Sequence, residues 1–342
     1  MRFLVWGAGA IGGTMGAHLA RAGHDVTMVD NAAEHVDAIN RSGIRITGPV
    51  AEFTQRVPAF TPETLTGEWD AIMLATKAHH TAAAARALRP HLGGAGCVIS
   101  VQNGLNELVI ADLVGAGRTV GAFVNFGADY LEPGVVLHGS RAAVVVGEID
   151  GRVTPRTIGI RDAWRDFDDR AIVTRNIWGY LWGKEAYGAM LFATALTNES
   201  IADALAMPEY RHLYIALARE ILAVAEARGV TLEGFDGFDP AAYAPRAAPG
   251  AAERSLDDLV AHNRRSAKTH SGIWRDLAVR KRATEVDAQL GIVSTLGKDV
   301  GVATPLTDRL VELIHDIETG VRLQSLGTLD LLADANPNGV DK

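Results

Sequence analysis

The chain has 342 residues, 48% hydrophobic and 22% charged, with a formal net charge of −8. This globular composition excludes global disorder, and the length suggests two domains. The acidic balance argues against a non-specific nucleic-acid binder, the single cysteine (Cys97) excludes an intrachain disulfide, and no apolar run reaches the ~18 residues of a membrane span. A soluble cytoplasmic protein with neither nucleic-acid nor membrane partners is expected.

Residues 2–6 (RFLVW) read as a buried strand ending in glycine, and residues 11–22 carry a helical apolar period. Residues 25–30 (DVTMVD) read as a second strand, which completes a βαβ unit. The alternation continues with a strand at 71–76, a helix at 79–92, a strand at 97–102 and a helix at 105–115. Residues 119–130 and 135–149 look like hairpin-forming strands, 153–167 like a helix opened by Thr-Pro, and 171–174 like a last strand. Helical spacing then dominates at 178–206, 208–228, 255–267, 272–292 and 305–320, around a Gly/Pro/Ala-rich loop at 231–252. The expected fold class is α/β. A Rossmann-type parallel-sheet domain (1–175) precedes a mostly α-helical substrate and catalytic domain (176–330), and a polar, mobile tail covers 331–342. The basic residues Arg264, Arg265, Lys268, Arg275, Arg280, Lys281 and Arg282 read as a solvated helix face.

Gly7, Gly9 and Gly12 form G-x-G-x-x-G between the first strand and the first helix. The first glycine permits a tight turn, the second lets a pyrophosphate approach the backbone, and the third allows close helix–strand packing. Ala10 and Ile11 open the helix, whose free N–H groups and dipole favour a phosphate. Asp30 ends the second strand, eighteen residues after Gly12, where a carboxylate accepts from the adenosine ribose and repels a 2′-phosphate. No Arg or Lys occurs from 30 to 40, so NAD is expected, with NADP the alternative.

The start GAGAIGG, with ATKAHHT at 75–81, VQNGL at 101–105, PGVVLHG at 133–139, WGKEAYGAMLFATAL at 182–196, ATEVDAQLG at 283–291 and GVATP at 301–305, resembles the ketopantoate reductase family over residues 1 to about 320. The resemblance implies a Rossmann domain, a helical partner domain, an active site in the cleft, and NAD(P)H-dependent reduction of a 2-oxo acid. It also implies that Lys184 is the catalytic lysine, that Lys77 and Asn103 lie on the cofactor side, and that Glu285 is the family glutamate. Chemistry agrees: hydride transfer to a carbonyl leaves charge on oxygen, and a lysine in the apolar, aromatic run around Tyr180, Trp182 and Tyr187 can donate the proton. Lys77 and Asn103 follow strands, where open α/β sheets bind ligands.

The chain departs from the family at Gly188 and Phe192, four and eight residues after Lys184, where asparagines are usual. His270 and Ser271 stand near the family's serine pair and are further substrate-contact candidates. The expected substrate is therefore bulkier or more apolar than ketopantoate, a discrimination that a hydrogen-bonding site and an apolar site make very differently. Two other readings use the same glycine turn: a 3-hydroxyacid dehydrogenase or imine reductase type of enzyme, and a non-catalytic dinucleotide sensor. No metal site is expected, and the apolar helical half points to a homodimer.

Overall fold

The structure is a computed structural model that describes residues 1–265 and 269–336. It divides into two compact units, Met1–Ile177 and the residues from Trp178 onward.

The first unit runs β1 (Arg2–Trp6), α1 (Ala10–Arg21), β2 (Asp25–Val29), α2 (Ala33–Ser42), β3 (Ile44–Thr47), β4 (Phe53–Gln55), β5 (Ala59–Phe60) and β6 (Trp69–Leu74). It continues with α3 (Thr81–Leu88), β7 (Leu92–Ser100), α4 (Asn106–Val114), β8 (Thr119–Val124), β9 (Gly127–Glu132), β10 (Val135–Ser140), β11 (Val144–Glu148), α5 (Pro155–Trp164) and β12 (Ile172–Val173). Eight strands form one sheet in the order β12-β11-β8-β7-β6-β1-β2-β5. The strands from β5 through β8 are mutually parallel, and β11 is antiparallel to β8. Alternation along β1 buries Phe3 and Val5 in the core on one face and Leu4 and Trp6 in the core on the other, as a sheet covered on both sides requires.

A second sheet, β4-β3-β10-β9, packs against α1. Its β3 runs parallel to β10, a pairing between segments about ninety residues apart. The sequence pattern does not announce α2 or β3–β5, whose strands are two to four residues long.

The second unit is helical: α6 (Ile177–Thr194), α7 (Ile201–Ala206), α8 (Arg211–Ala227), α9 (Ala251–Arg264), α10 (Gly272–Ala278), α11 (Ile292–Asp299), α12 (Pro305–Glu318) and α13 (Leu326–Ala333). The pattern at 178–206 is two helices, α6 and α7, split before Ser200, which caps α7. The pattern at 272–292 is also broken. After α10 the chain leaves the helix, Lys281 adopts a left-handed φ of 50°, and Arg280 and Arg282 turn back onto the buried carboxylate of Asp276. These two arginines therefore pair with one buried acid instead of forming a solvated helix face, and Lys268 lies outside the described residues. Helix α13 carries the chain past residue 331, where a tail is expected, because Leu329 and Leu332 bury in the core; residues 337–342 lie outside the described residues.

Candidate functional site

The first unit gathers its candidate residues at one sheet edge. In register, the final residues of β2, β1, β6 and β7 are Val29, Trp6, Leu74 and Ser100. The segments that follow carry Gly7–Gly12, Asp30, Lys77 and Asn103. Strand order reverses between β1 and β6, the topological switch point where such sheets bind ligands. There Gly7 sits at φ +102°, and a Cβ on it would lie 2.9 Å from the backbone of Ala75 and Thr76. A Cβ on Gly12 would lie 2.1 Å from the Gly7 carbonyl oxygen. Around Gly9 nothing lies within 4 Å of a built Cβ, and Gly9, Ala10 and Ile11 are partly exposed. No side chain caps α1, so its first amides are available to an anion. Crowding at Gly7 and Gly12, with room at Gly9, is the cradle a dinucleotide pyrophosphate needs.

The middle residue of the glycine turn, Ala8, is fully buried and held on both sides. Its N–H donates to Asp30 Oδ2 at 2.9 Å, while Asp30 Oδ1 accepts from the Ala32 N–H at 3.0 Å. Asp30 thus caps its own turn as well as bracing the loop, and each oxygen keeps further acceptor capacity. His35 Nδ1 accepts from the Gly134 N–H at 2.9 Å, which leaves the proton on Nε2 to donate to the Ala8 carbonyl at 2.9 Å. Gly134 lies in the PGVVLHG segment, which assigns it no role, and no sequence motif singles out His35.

A polar chain joins the segments that carry Lys77 and Asn103. Gln102 Nε2 donates to the Thr76 carbonyl and to Thr81 Oγ1, both at 2.8 Å. Thr81 donates to Asn106 Oδ1 at 2.8 Å, and Asn106 Nδ2 donates to the Asn103 carbonyl at 2.6 Å. Gln102, Thr81 and Asn106 are all buried. Their signal in the sequence is a set of polar side chains in the connections that follow apolar strands, Gln102 just after β7 and Thr81 and Asn106 at the first positions of α3 and α4, where burial demands partners. His79 and His80 are exposed, and their rings meet edge to face.

In the second unit, α6 shows one open stripe: Tyr180, Lys184, Tyr187, Gly188 and Leu191 are partly exposed, and their neighbours are buried. Phe192 is fully buried. A position eight residues on is rotated roughly 80° from Lys184 at 3.6 residues per turn. That rotation carries Phe192 off the stripe and into the core, so its ring is not a substrate contact, and Leu191 stands on the open face instead. Tyr187 shares a hydrogen bond of 3.1 Å with Asn263, and burial pushes its phenol upward. A Cβ built on Gly188 would lie 3.9 Å from Gln289 Oε1.

Gln289 belongs to a π-helical turn, Asp287–Gly291, that begins just after Glu285, and its amide N–H donates to the Glu285 carbonyl at 3.0 Å. Such turns recur at functional sites. Helix α12 braces this turn on both sides of Glu285. Glu318 Oε1 accepts from the Thr284 N–H at 2.6 Å and from its hydroxyl at 2.7 Å. His315 joins Glu318 Oε2 at 2.9 Å and Asp287 Oδ1 at 3.0 Å. Burial opposes the charge on His315, yet the two carboxylates win and raise its pKa. Glu285 itself is buried.

Ser271 caps α10, its hydroxyl accepting from the Trp274 N–H at 3.1 Å. His270 packs against Trp274 in a tilted arrangement, ring centroids 4.1 Å apart, and contacts Thr269 Oγ1 and the Asn198 carbonyl. Burial pushes the Cys97 thiol up to about 11, which leaves it inert near neutrality. Among the described residues no group of three or more His, Cys, Asp or Glu could hold a metal ion, and no helix is long and apolar enough to cross a membrane.

Residues 3–151 match the family described as Ketopantoate reductase PanE/ApbA, and residues 176–318 match Ketopantoate reductase PanE/ApbA C terminal. A 2-dehydropantoate 2-reductase of Halobacterium salinarum is 28% identical over 318 residues, covering 92% of this chain and 98% of the relative. Among solved structures, a PanE/ApbA family ketopantoate reductase from Ralstonia eutropha is 24% identical, covers 94% of this chain and 99% of its own, and superposes with a TM-score of 0.79. A D-mandelate dehydrogenase, solved as a ternary structure with NADH and anilino(oxo)acetate, is 22% identical over the same shares with a TM-score of 0.81.

Proposed function

The chain belongs to the ketopantoate reductase family, and from that premise we propose an NAD(P)-dependent oxidoreductase that interconverts a 2-oxo acid and its 2-hydroxy acid, with NAD(H) preferred. One observation carries this reading: the sheet edge where a crowded Gly7 and Gly12, an open Gly9, an uncapped helix start and Asp30 meet. Gly7, Gly9, Ala10, Ile11, Gly12 and Asp30 would hold the dinucleotide, with Lys77 and Asn103 beside it. A nicotinamide held there would supply or accept the hydride. Lys184 donates a proton to the carbonyl oxygen as charge develops on it, and takes the proton back in the reverse direction. Glu285, on its braced turn, orients the lysine or the substrate.

The carboxylate of Asp30 supports NAD(H), because a 2′-phosphate would meet its charge and no cation occurs from 30 to 40. The D-mandelate dehydrogenase of like fold is described in complex with NADH, which supports a nicotinamide cofactor for this reading. Gly188 leaves space on the face that carries Lys184, which supports a substrate other than ketopantoate. The apolar part of that expectation rested on Phe192, which lies in the core. Assembly as a homodimer belongs to the same reading.

The test is a panel of 2-oxo acids, ketopantoate included, with NADH and NADPH, followed through nicotinamide absorbance. Reduction of at least one 2-oxo acid, faster with NADH, is the expected result. No reduction of any member overturns the activity. A kcat/KM for ketopantoate of about 10⁴ M⁻¹s⁻¹ or more overturns the different substrate.

A further inference from the structure

Two backbone carbonyls, those of Thr76 and Asn103, end the buried polar chain that joins the connections after β6 and β7. A carbonyl only accepts, so the amide atom that faces each is a nitrogen, which settles the orientation of both Gln102 and Asn106. Gln102 Nε2 gives its second proton to Thr81 Oγ1 at 2.8 Å. Asn106 therefore presents its oxygen to the same hydroxyl, and the Thr81 proton goes there, also at 2.8 Å. Thr81 accepts from one amide and donates to the other. Valine, its isostere, can do neither, and would leave a buried amide nitrogen and a buried amide oxygen without their partner.

Strand order says which part of a ligand this chain serves. From β2 to β7 the sheet edge carries Asp30, the glycine turn, Lys77 and Asn103 in turn. A dinucleotide with its adenosine at Asp30 and its pyrophosphate at α1 carries its nicotinamide ribose over the ends of β6 and β7. Thr81 itself is 1% exposed and so acts only through the two connections that it joins.

We propose that Thr81 is a positioning residue for the nicotinamide half of the cofactor. Its hydroxyl holds the connection that carries Lys77 in register with the one that carries Asn103, and the adenosine half does not depend on it. The inference rests on the dinucleotide reading of this sheet edge.

The test compares two ligands, NADH by nicotinamide fluorescence and ADP by calorimetry, on the wild type, Thr81→Val, Thr81→Ser and Gln102→Met. ADP reaches only Asp30 and the glycine turn. Thr81→Val is expected to lose ~10-fold or more in NADH affinity while its ADP affinity moves by less than about twofold. Thr81→Ser, which keeps the hydroxyl, should restore NADH binding, and Gln102→Met, which cuts the chain one link earlier, should repeat the valine result. A general loosening of the fold would weaken both ligands together, so a parallel loss overturns the role of Thr81. Undiminished NADH affinity in Thr81→Val, or in Gln102→Met where the valine variant does not fold, overturns it too, as does a serine variant no better than valine. Failure of the dinucleotide reading looks different: the wild type then binds neither ligand.

Discussion

One carboxylate oxygen of Glu318 accepts both the amide and the hydroxyl of Thr284, at 2.6 and 2.7 Å. The other oxygen meets His315, which reaches on to Asp287. Glu285 therefore sits on a turn whose two ends are tied to α12. The bracing has a charge, because the imidazolium holds two carboxylates.

That charge sets a pH dependence. The folded pKa of His315 is raised, so its contribution is complete below the unfolded value of 6.5 and is lost as pH rises through the folded value. The wild type should show a fall in Tm as pH rises above 6.5 that is absent in His315→Gln. Parallel Tm–pH curves for the two proteins would remove the bridge from the account.

A second pH dependence runs in the acid direction. His18 on α1 and His138 on β10 lie 5.3 Å apart among Phe53, Phe126 and Phe167. Burial, then the neighbouring His138 and Arg21, lower His18 from 6.5 to about 4. Burial also lowers His138, with Asp168 opposing and Arg141 assisting. The unfolded chain binds these protons more readily, so stability is complete above pH 6.5 and is lost as pH falls from 6.5 toward about 4. Asp168 adds a loss at lower pH still: burial works against its charge, but Arg170 and Arg141 hold it well below the usual carboxylate range. His138→Phe should flatten the Tm–pH curve in the 6.5-to-4 window and leave the more acidic loss in place.

Lys184→Ala should lower kcat/KM by about 10²-fold or more, the range of a lost general acid. NADH affinity, read by nicotinamide fluorescence, should change by less than about threefold. A variant with wild-type turnover would remove the lysine from the chemistry.

Asp30 has two tasks, and Asp30→Ala removes both. NADH affinity should fall by ~10-fold or more, since the ribose acceptor and the brace on Ala8 go together. NADPH affinity should fall less, because the repulsion of its phosphate disappears as well. Wild-type protein that binds NADPH more tightly than NADH would overturn the argument for this carboxylate.

Gly12→Ala places a methyl group 2.1 Å from the Gly7 carbonyl oxygen, a backbone atom that cannot swing aside. Destabilisation of about 1–3 kcal/mol is expected, together with loss of dinucleotide binding. Gly9→Ala meets nothing within 4 Å and should fold normally, yet bind dinucleotide more weakly. Denaturant melts with and without NADH separate the two effects.

The βαβ start, the parallel alternation and the helical second half are legible in the sequence because each rests on local periodicity. The glycine turn and Asp30 are legible because their spacing has a mechanical meaning. The small sheet is not, since β3 gains its partner from β10, far along the chain, and short strands carry little pattern. Phe192 is misread when positions four and eight residues apart are treated as one face, because the helix drifts over two turns. Gln289 is hidden for a related reason: a π turn shifts the register, so no regular helical template places its side chain over Gly188. Ala8 offers no side-chain signal at all, although both its backbone groups are claimed by side chains from elsewhere.

The grip of His35 on Ala8 has a practical consequence. The same imidazole takes the amide of Gly134, at the turn between β9 and β10, so the glycine loop and a hairpin of the second sheet share one proton arrangement. Cofactor affinity can then be tuned from that hairpin, by substitutions that never touch the ligand. A designer who wishes to swap coenzymes gains a remote handle, and a hairpin replaced without regard to Gly134 would silently detune the loop that Asp30 was altered to serve.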